Sequence, residues 1–229
     1  MVVAAGAGTR MGLGVPKAFI PLAGRPMISW SLETLRASAA VARIIAVVPP
    51  GGEREARAAL GDADAGVHMV PGGASRAESV LAGVRAAGDD VDLILVHDAA
   101  RPLVTVDMIT RVLAGIVDGV AGAIVAAPVA DTLKAEGDAG AIARTVDRAG
   151  LWGAQTPQAF RADVFRAALD AAARGGTLDR ATDCASLLEA AGAAVRLIVP
   201  GAPNLKVTTP DDRLVAEALL VPARGAPVD

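Results

Sequence analysis

Lysine is rare in this chain. Of 22 basic residues only Lys17, Lys134 and Lys206 are lysine, and the rest are arginine. A lysine is a compact, rotatable point charge, whereas arginine presents a rigid planar fork. Lys17 and Lys206 both follow apolar runs that read as strands, so each asks for a reason. Lys17 comes shortly after Ala4-Ala-Gly-Ala-Gly-Thr-Arg-Met-Gly12, in which Ala4, Ala5, Gly6 and Gly8 precede Arg10. Glycines after a strand let backbone N–H groups approach phosphate oxygens closely, and the nearby cations would meet the same anion. Met11 occupies the position where a dinucleotide fingerprint needs its third glycine, and Gly14-Val-Pro16 breaks any helix. A Walker loop fails as well, because Lys17 has no glycine before it and no Ser or Thr after it.

Two further loops carry candidate chemistry. In Pro71-Gly-Gly-Ala-Ser-Arg-Ala-Glu-Ser79, Ser75 is the expected helix N-cap and Glu78 the reciprocal partner of a capping box. Capping leaves Gly72, Gly73 and Arg76 unexplained. His97-Asp-Ala-Ala-Arg-Pro102 closes another apolar run, which places Asp98 and Arg101 at the carboxyl end of a strand, where substrates of open α/β sheets sit. An Asp–Arg ion pair on the rim is the plain alternative for these two, and His97 reads as a packed or orienting residue.

The elements that would carry these loops alternate. Strands are expected at Met1–Ala5, Arg43–Pro49, Val67–Val70, Asp92–His97, Ala121–Ala127 and Ala194–Val199. Helices are expected at Pro26–Ser38, Glu53–Leu60, Ser75–Ala87, Val106–Asp118, Ala162–Ala173, Asp183–Ala191 and Asp211–Leu220. Such alternation predicts an α/β fold, a doubly wound, mostly parallel sheet with helices on both faces. The helical rhythm stops between Asp131 and Arg148, where two short runs flank the turn signal Glu136–Gly140, so a protruding hairpin is expected there. We read residues 1–221 as one domain that includes this arm, and 222–229 as a disordered tail.

Composition removes other classes. Three Phe, two Trp and no Tyr leave no stacking platform for nucleic acid, and a net charge of −3 offers no basic face to its backbone. Two histidines and one cysteine are too few for a zinc site with the usual ligands. A lone cysteine and the lack of a basic-then-apolar leader suggest a reducing, cytoplasmic setting. Residues 112–130 carry one charge, Asp118, and approach the length of a membrane span. Glycines and Pro128 interrupt them, so they read as soluble core.

The glycine loop with Pro16-Lys17 resembles the opening signature of sugar-phosphate nucleotidyltransferases. Gly72-Gly-x-x-Arg-x-x-Ser79, His97-Asp-Ala-Ala-Arg-Pro102, Asp131-Thr-x-Lys134, Thr145-Val-Asp-Arg148 and Thr156-Pro-Gln158 narrow the likeness. Together, in order from Val3 to about Leu220, they are similar to the 2-C-methyl-D-erythritol 4-phosphate cytidylyltransferase family. That resemblance implies a Rossmann-like nucleotidyltransferase fold, CTP and methylerythritol phosphate as substrates, and Mg²⁺ held by CTP phosphates without direct protein ligands. It implies that Arg10, Lys17 and Lys206 meet phosphates, and that Ala4, Ala5, Gly6, Gly8, Gly73 and Ser79 surround the nucleotide. It places Asp98, Arg101, Thr156 and Thr182 at the acceptor. It also implies a homodimer in which Thr132 and Arg148 of the hairpin arm reach the other subunit's substrate phosphate.

The chain departs from the family pattern at two positions. Cys184 follows Thr182-Asp183 where relatives often have an acidic residue, and Ala74 replaces an acidic residue seen near the base in some members. The start is also short, with Met1-Val-Val leading straight into the glycine loop, so the native start could lie upstream. Three rival readings share parts of the pattern. A ribitol-5-phosphate or other polyol-phosphate cytidylyltransferase would keep the fold and the CTP site and differ only around Asp98, Thr132 and Arg148. A catalytically silent nucleotide-binding module need not keep cations placed for a transition state. A Rossmann oxidoreductase conflicts with the glycine spacing. A fused second enzyme domain is not expected at this length.

Overall fold

In the computed structural model, which describes residues 1–6 and 16–220, the apolar runs become strands. They are β1 (Val2–Val3), β2 (Pro21–Leu22), β3 (Arg25–Pro26), β4 (Ile44–Val48), β5 (Val67–Pro71), β6 (Leu93–Asp98), β7 (Gly122–Pro128), β8 (Leu133–Glu136), β9 (Ile142–Val146), β10 (Trp152–Arg161) and β11 (Val195–Ile198). The helices are α1 (Met27–Ala37), α2 (Glu53–Leu60), α3 (Arg76–Ala86), α4 (Val106–Ala114), α5 (Ala162–Arg174), α6 (Ala185–Ala190) and α7 (Pro210–Leu220).

Seven strands form one sheet in the order β11-β7-β10-β6-β1-β4-β5. Every strand is parallel to its neighbours except β10, which runs antiparallel to β6 and β7. The fully apolar Ile44–Val48 suits a strand covered on both faces. Ile45 and Val47 pack with α3, α5 and α6 on one side of the sheet. Ile44, Ala46 and Val48 pack with α1, α2 and α4 on the other. The expected doubly wound sheet is therefore present. From β1 the chain runs outward through β4 to β5, then returns to β6 on the opposite side of β1. The carboxyl ends of β1 and β6 thus flank a topological switch point.

Two elements differ from expectation. β10 has no apolar run to announce it, since Gln155, Thr156 and Gln158 interrupt it. The strand tolerates them because its register shifts between Ala154 and Gln158, where the buried polar groups find hydrogen bonds, and Pro157 sits in that irregular stretch. The helix expected to reach Asp118 stops at Ala114. There the chain passes so close to β7 that a Cβ on Gly115 would lie 2.9 Å from Ala123 Cβ. Residues 112–130 therefore divide into a helix end, a turn and β7, and among the described residues no helix is long and apolar enough to cross a membrane.

A third apolar cluster joins α7 to the short hairpin β2–β3 through Leu22, Met27, Val207 and Ala216. Trp30 Nε1 donates to the Leu22 carbonyl at 3.1 Å, and the Ala23 N–H donates to Glu217 at 3.1 Å. These contacts seat the turn Lys17–Phe19 beside the sheet. The expected second hairpin forms from β8 and β9 around Asp138–Gly140, and among the described residues its strands pair only with each other. The tail expected from residue 222 lies outside the described residues.

Candidate active site

A cavity of about 390 Å³ opens at the switch point. Val3 at the end of β1 and the following Ala4, Ala5 and Gly6 line it, as do Asp98 at the end of β6 and the following Ala99 and Ala100. Gly73 to Arg76 with Ser79 close a third side, and Lys17, Lys206 and Thr208 the rim. Six sequence-predicted residues, Ala4, Ala5, Gly6, Gly73, Ser79 and Asp98, thus meet Lys17 and Lys206 in one crevice. Arg10 and Gly8 lie outside the described residues.

The β5–α3 loop explains its glycines by close approach. A Cβ on Gly72 would lie 2.6 Å from Ala5 Cβ and 2.7 Å from Ser79 Oγ; one on Gly73 would lie 2.3 Å from Glu78 Cβ. Ser75 is the N-cap, accepting the Glu78 N–H at 3.2 Å. The reciprocal bond is shifted by one residue, because the Glu78 carboxylate accepts the Ala74 N–H at 2.6 Å instead of that of the cap itself. Ser79 Oγ accepts the Gly73 N–H at 3.1 Å and donates to the Ser75 carbonyl at 2.9 Å, which ties the loop to its helix.

Asp98 is the carboxylate of the cavity. Arg76 reaches its Oδ1 through Nη2 at 3.1 Å, and Lys206 Nζ reaches its Oδ2 at 2.8 Å. Burial alone would raise its pKa, but the Arg76 and Lys206 charges hold it well below the ordinary carboxylate range. Behind it, the Asp98 N–H donates to Thr156 Oγ1 at 3.0 Å, and the Thr156 hydroxyl lies 3.1 Å from His97 Nδ1. His97 Nε2 lies 3.1 Å from the Arg101 carbonyl. One tautomer, with the proton on Nε2, satisfies the whole chain of contacts. Burial lowers His97 to about 4, opposed by the nearby Asp98 charge, so the ring is neutral and acts as an orienting group.

Arg101 and Thr156 stand behind the cavity wall. Instead of pairing with Asp98, Arg101 donates through Nη1 to the Asn204 carbonyl at 2.7 Å. Asn204 Nδ2 in turn donates to Gln155 Oε1 at 2.8 Å and to the Thr156 carbonyl at 2.9 Å. The Val207 N–H donates to the Ala100 carbonyl at 2.8 Å. These bonds fasten the segment carrying Lys206 to β6 and β10.

Thr182 is exposed and does not line the cavity. Its neighbours are held by Gln158, which donates to Asp183 at 2.8 Å and accepts the Cys184 N–H at 3.2 Å. The Cys184 thiol receives Arg76 Nη1 at 3.7 Å, and burial pushes its pKa up to about 11, so it is neutral at pH 7. Thr132 and Arg148 are exposed at the base of the hairpin arm, away from this cavity, and Arg148 donates to the Ala130 carbonyl. Among the described residues no cluster of three His, Cys, Asp or Glu could hold a metal ion. Sequence reasoning quoted Arg76 and Gln158 within motifs but gave neither a role at the site, and it did not single out Asn204, which no motif contains.

A mostly parallel sheet with helices on both faces and a glycine-lined crevice at its switch point is an α/β fold, and its likeness to solved cytidylyltransferases makes it an α/β nucleotidyltransferase fold. The family model for IspD, 2-C-methyl-D-erythritol 4-phosphate cytidylyltransferase, matches residues 1–222. The cytidylyltransferase of Bordetella petrii is 48% identical over 216 residues, covering 93% of each chain. That of Frankia casuarinae is 44% identical over 233 residues, covering 100% of this chain and 82% of its own. The crystal structure of the Thermus thermophilus enzyme superposes with a TM-score of 0.76 at 33% identity, covering 95% of this chain and 96% of its own. The chain belongs to the 2-C-methyl-D-erythritol 4-phosphate cytidylyltransferase family and is a cytidylyltransferase.

Proposed function

We propose that the protein transfers CMP from CTP to 2-C-methyl-D-erythritol 4-phosphate, giving 4-diphosphocytidyl-2-C-methyl-D-erythritol and pyrophosphate in non-mevalonate isoprenoid synthesis. A phosphate oxygen of the acceptor forms the new bond to the α-phosphorus of CTP. The bond to the β-phosphate bridging oxygen breaks, and pyrophosphate leaves with the electron pair. A phosphate monoester has a second pKa of about 6, so the nucleophile is already ionised at pH 7 and needs no general base. What the step needs is positive charge around the phosphoryl group and in-line placement. The observation that carries the reading is Lys206 Nζ at 2.8 Å from Asp98 Oδ2, inside the same crevice as Lys17, Gly6 and Gly73. A phosphate-binding cation there adjoins a carboxylate able to accept hydroxyl hydrogen bonds.

In this reading Lys17 and Arg10 hold the triphosphate, and Lys206 moves to the α-phosphate. Asp98 takes acceptor hydroxyls. Ala4, Ala5, Gly6, Gly73 and Ser79 enclose the cytosine, whose amino group is a donor where uracil has an acceptor. Both oxygens of Asp98 already face cations, so the site suits a Mg²⁺ that travels on the triphosphate and neutralises part of its charge. The test is pyrophosphate release with CTP and Mg²⁺, comparing methylerythritol phosphate with ribitol 5-phosphate. Release with the first alone supports the assignment. Release with the second alone overturns the acceptor, and silence with both despite CTP binding indicates a nucleotide-binding module.

The reading includes a homodimer. An isolated two-stranded hairpin is marginal in water, and Ile142 on the β8–β9 arm is 65% exposed, so a partner surface would complete it. Mixing an Arg148→Ala chain with a Lys17→Ala chain then restores activity through one intact shared site. A mixture as inactive as its components would refute the arm's role. A single buried free thiol, Cys184, fits a reducing compartment such as the cytoplasm.

A further inference from the structure

Arg76 lines the cavity, yet the phosphoryl transfer leaves it without a task. It stands in the first turn of α3, next to the Ser75 cap, and its Nε and Nη2 lie 3.3 and 3.1 Å from Asp98 Oδ1. Its third nitrogen, Nη1, turns back to the Cys184 thiol. Lys206 holds the opposite carboxylate oxygen from the segment between β11 and α7. The two cations differ in freedom. Arg76 is a planar fork on a capped helix, while Lys206 is a flexible stem, its side chain 42% exposed against 33% for Arg76.

If Lys206 moves to the α-phosphate, it must leave Asp98, whose side chain is only 12% exposed. A carboxylate so enclosed, stripped of every cation, would take up a proton and lose its fixed orientation. Its other neighbours cannot replace the charge. His97 is neutral, Cys184 is a neutral thiol, and Arg101 is committed to the Asn204 carbonyl. Among the described residues Arg76 pairs with no second carboxylate that could draw it away, because the group behind it is the Cys184 thiol.

We propose that Arg76 is a positioning residue of the reaction: it keeps hold of Asp98 Oδ1 while Lys206 transfers to the phosphate, so that Oδ2 turns to the acceptor hydroxyls already aimed. This rests on the assignment of Asp98 to the acceptor and Lys206 to the phosphate.

The experiment compares Arg76→Gln, Arg76→Lys, Asp98→Asn and the double variant R76Q/D98N. Calorimetric CTP affinity with Mg²⁺, kcat, acceptor KM and melting temperature are measured for each. Loss of alignment predicts a kcat/KM for the acceptor about 100-fold lower in R76Q, with CTP affinity within about threefold of the parent. R76K, which keeps a charge but not the fork, recovers part of this and leaves acceptor KM raised by about tenfold. The double variant is no worse than D98N alone, because the two side chains act as one unit. R76Q with parental kinetics, a tenfold loss of CTP affinity, or additive losses in the double variant each overturns the proposal. Should R76Q fail to fold, a folded R76K with parental acceptor KM overturns it equally. If D98N itself leaves acceptor KM unchanged, the assignment of Asp98 has failed, independently of Arg76.

Discussion

Replacing Thr156 by valine keeps shape and deletes one hydroxyl that serves two buried partners. The Asp98 N–H loses its acceptor at 3.0 Å and His97 Nδ1 loses its donor at 3.1 Å. Thr156 is 3% exposed and His97 is fully buried, so water cannot step in without opening the sheet. Each unsatisfied buried group costs about 1–3 kcal/mol, which sums to about 2–6 kcal/mol for the pair. At a typical urea slope that lowers the unfolding midpoint by roughly 1 M or more. Thr156→Ser keeps the hydroxyl and deletes one methyl, a loss of about 1 kcal/mol. The two variants should therefore rank against hydrophobicity, with serine the more stable. Urea unfolding at one fixed protein concentration, pH 7, measures both. T156V at least as stable as T156S would contradict the relay from Asp98 through Thr156 to His97. Acceptor KM in T156V should rise along with the destabilisation, since the Asp98 backbone is no longer pinned.

Gly72→Ala puts a Cβ 2.6 Å from Ala5 Cβ and 2.7 Å from Ser79 Oγ, so CTP affinity falls and stability drops by about 1–3 kcal/mol; calorimetry and unfolding curves check both. His97, lowered to about 4 in the fold against 6.5 in the unfolded chain, gives stability that is complete above the unfolded pKa and is lost as pH falls towards the folded one. Urea unfolding should give a stability lower at pH 5 than at pH 7 by roughly 2 kcal/mol from His97, with the buried Met1 amine, lowered to about 5, adding in the same direction; a flat profile contradicts a neutral, buried ring. Lys17→Ala should cut kcat by roughly 100-fold with little change in melting temperature. A near-parental rate would remove Lys17 from phosphate binding.

Much of the fold was legible in the residues. The runs Ile44–Val48 and Gly122–Pro128 announce buried parallel strands by unbroken apolar character, and α2 begins and ends at the expected Glu53 and Leu60. β10 was not legible, because polar side chains at Gln155, Thr156 and Gln158 hide a strand whose partners are distant in the chain. The loops were readable for a related reason: glycine spacing, a rare lysine and a carboxylate at a strand end are local signals, and Lys17, Gly73, Asp98 and Lys206 line one crevice.

What the sequence alone determined is the set of loops, the alternation that brings them to the carboxyl ends of strands, and the family they match. What only the tertiary structure decided is who holds whom. An ion pair of Asp98 with Arg101, three residues away, was the plain alternative in the sequence, yet the pairing falls to Arg76 and Lys206, 22 and 108 residues distant in the chain. Their reach is set by α3 and by the segment before α7. Arg101 instead fastens Asn204, and Thr156 holds the Asp98 amide from a strand of opposite direction. Local spacing sets which elements form, because a strand or a helix turn reports only its own neighbours. Charge pairing inside a crevice depends instead on which elements the packed core brings within about 3 Å of one another, and no spacing along the chain carries that distance.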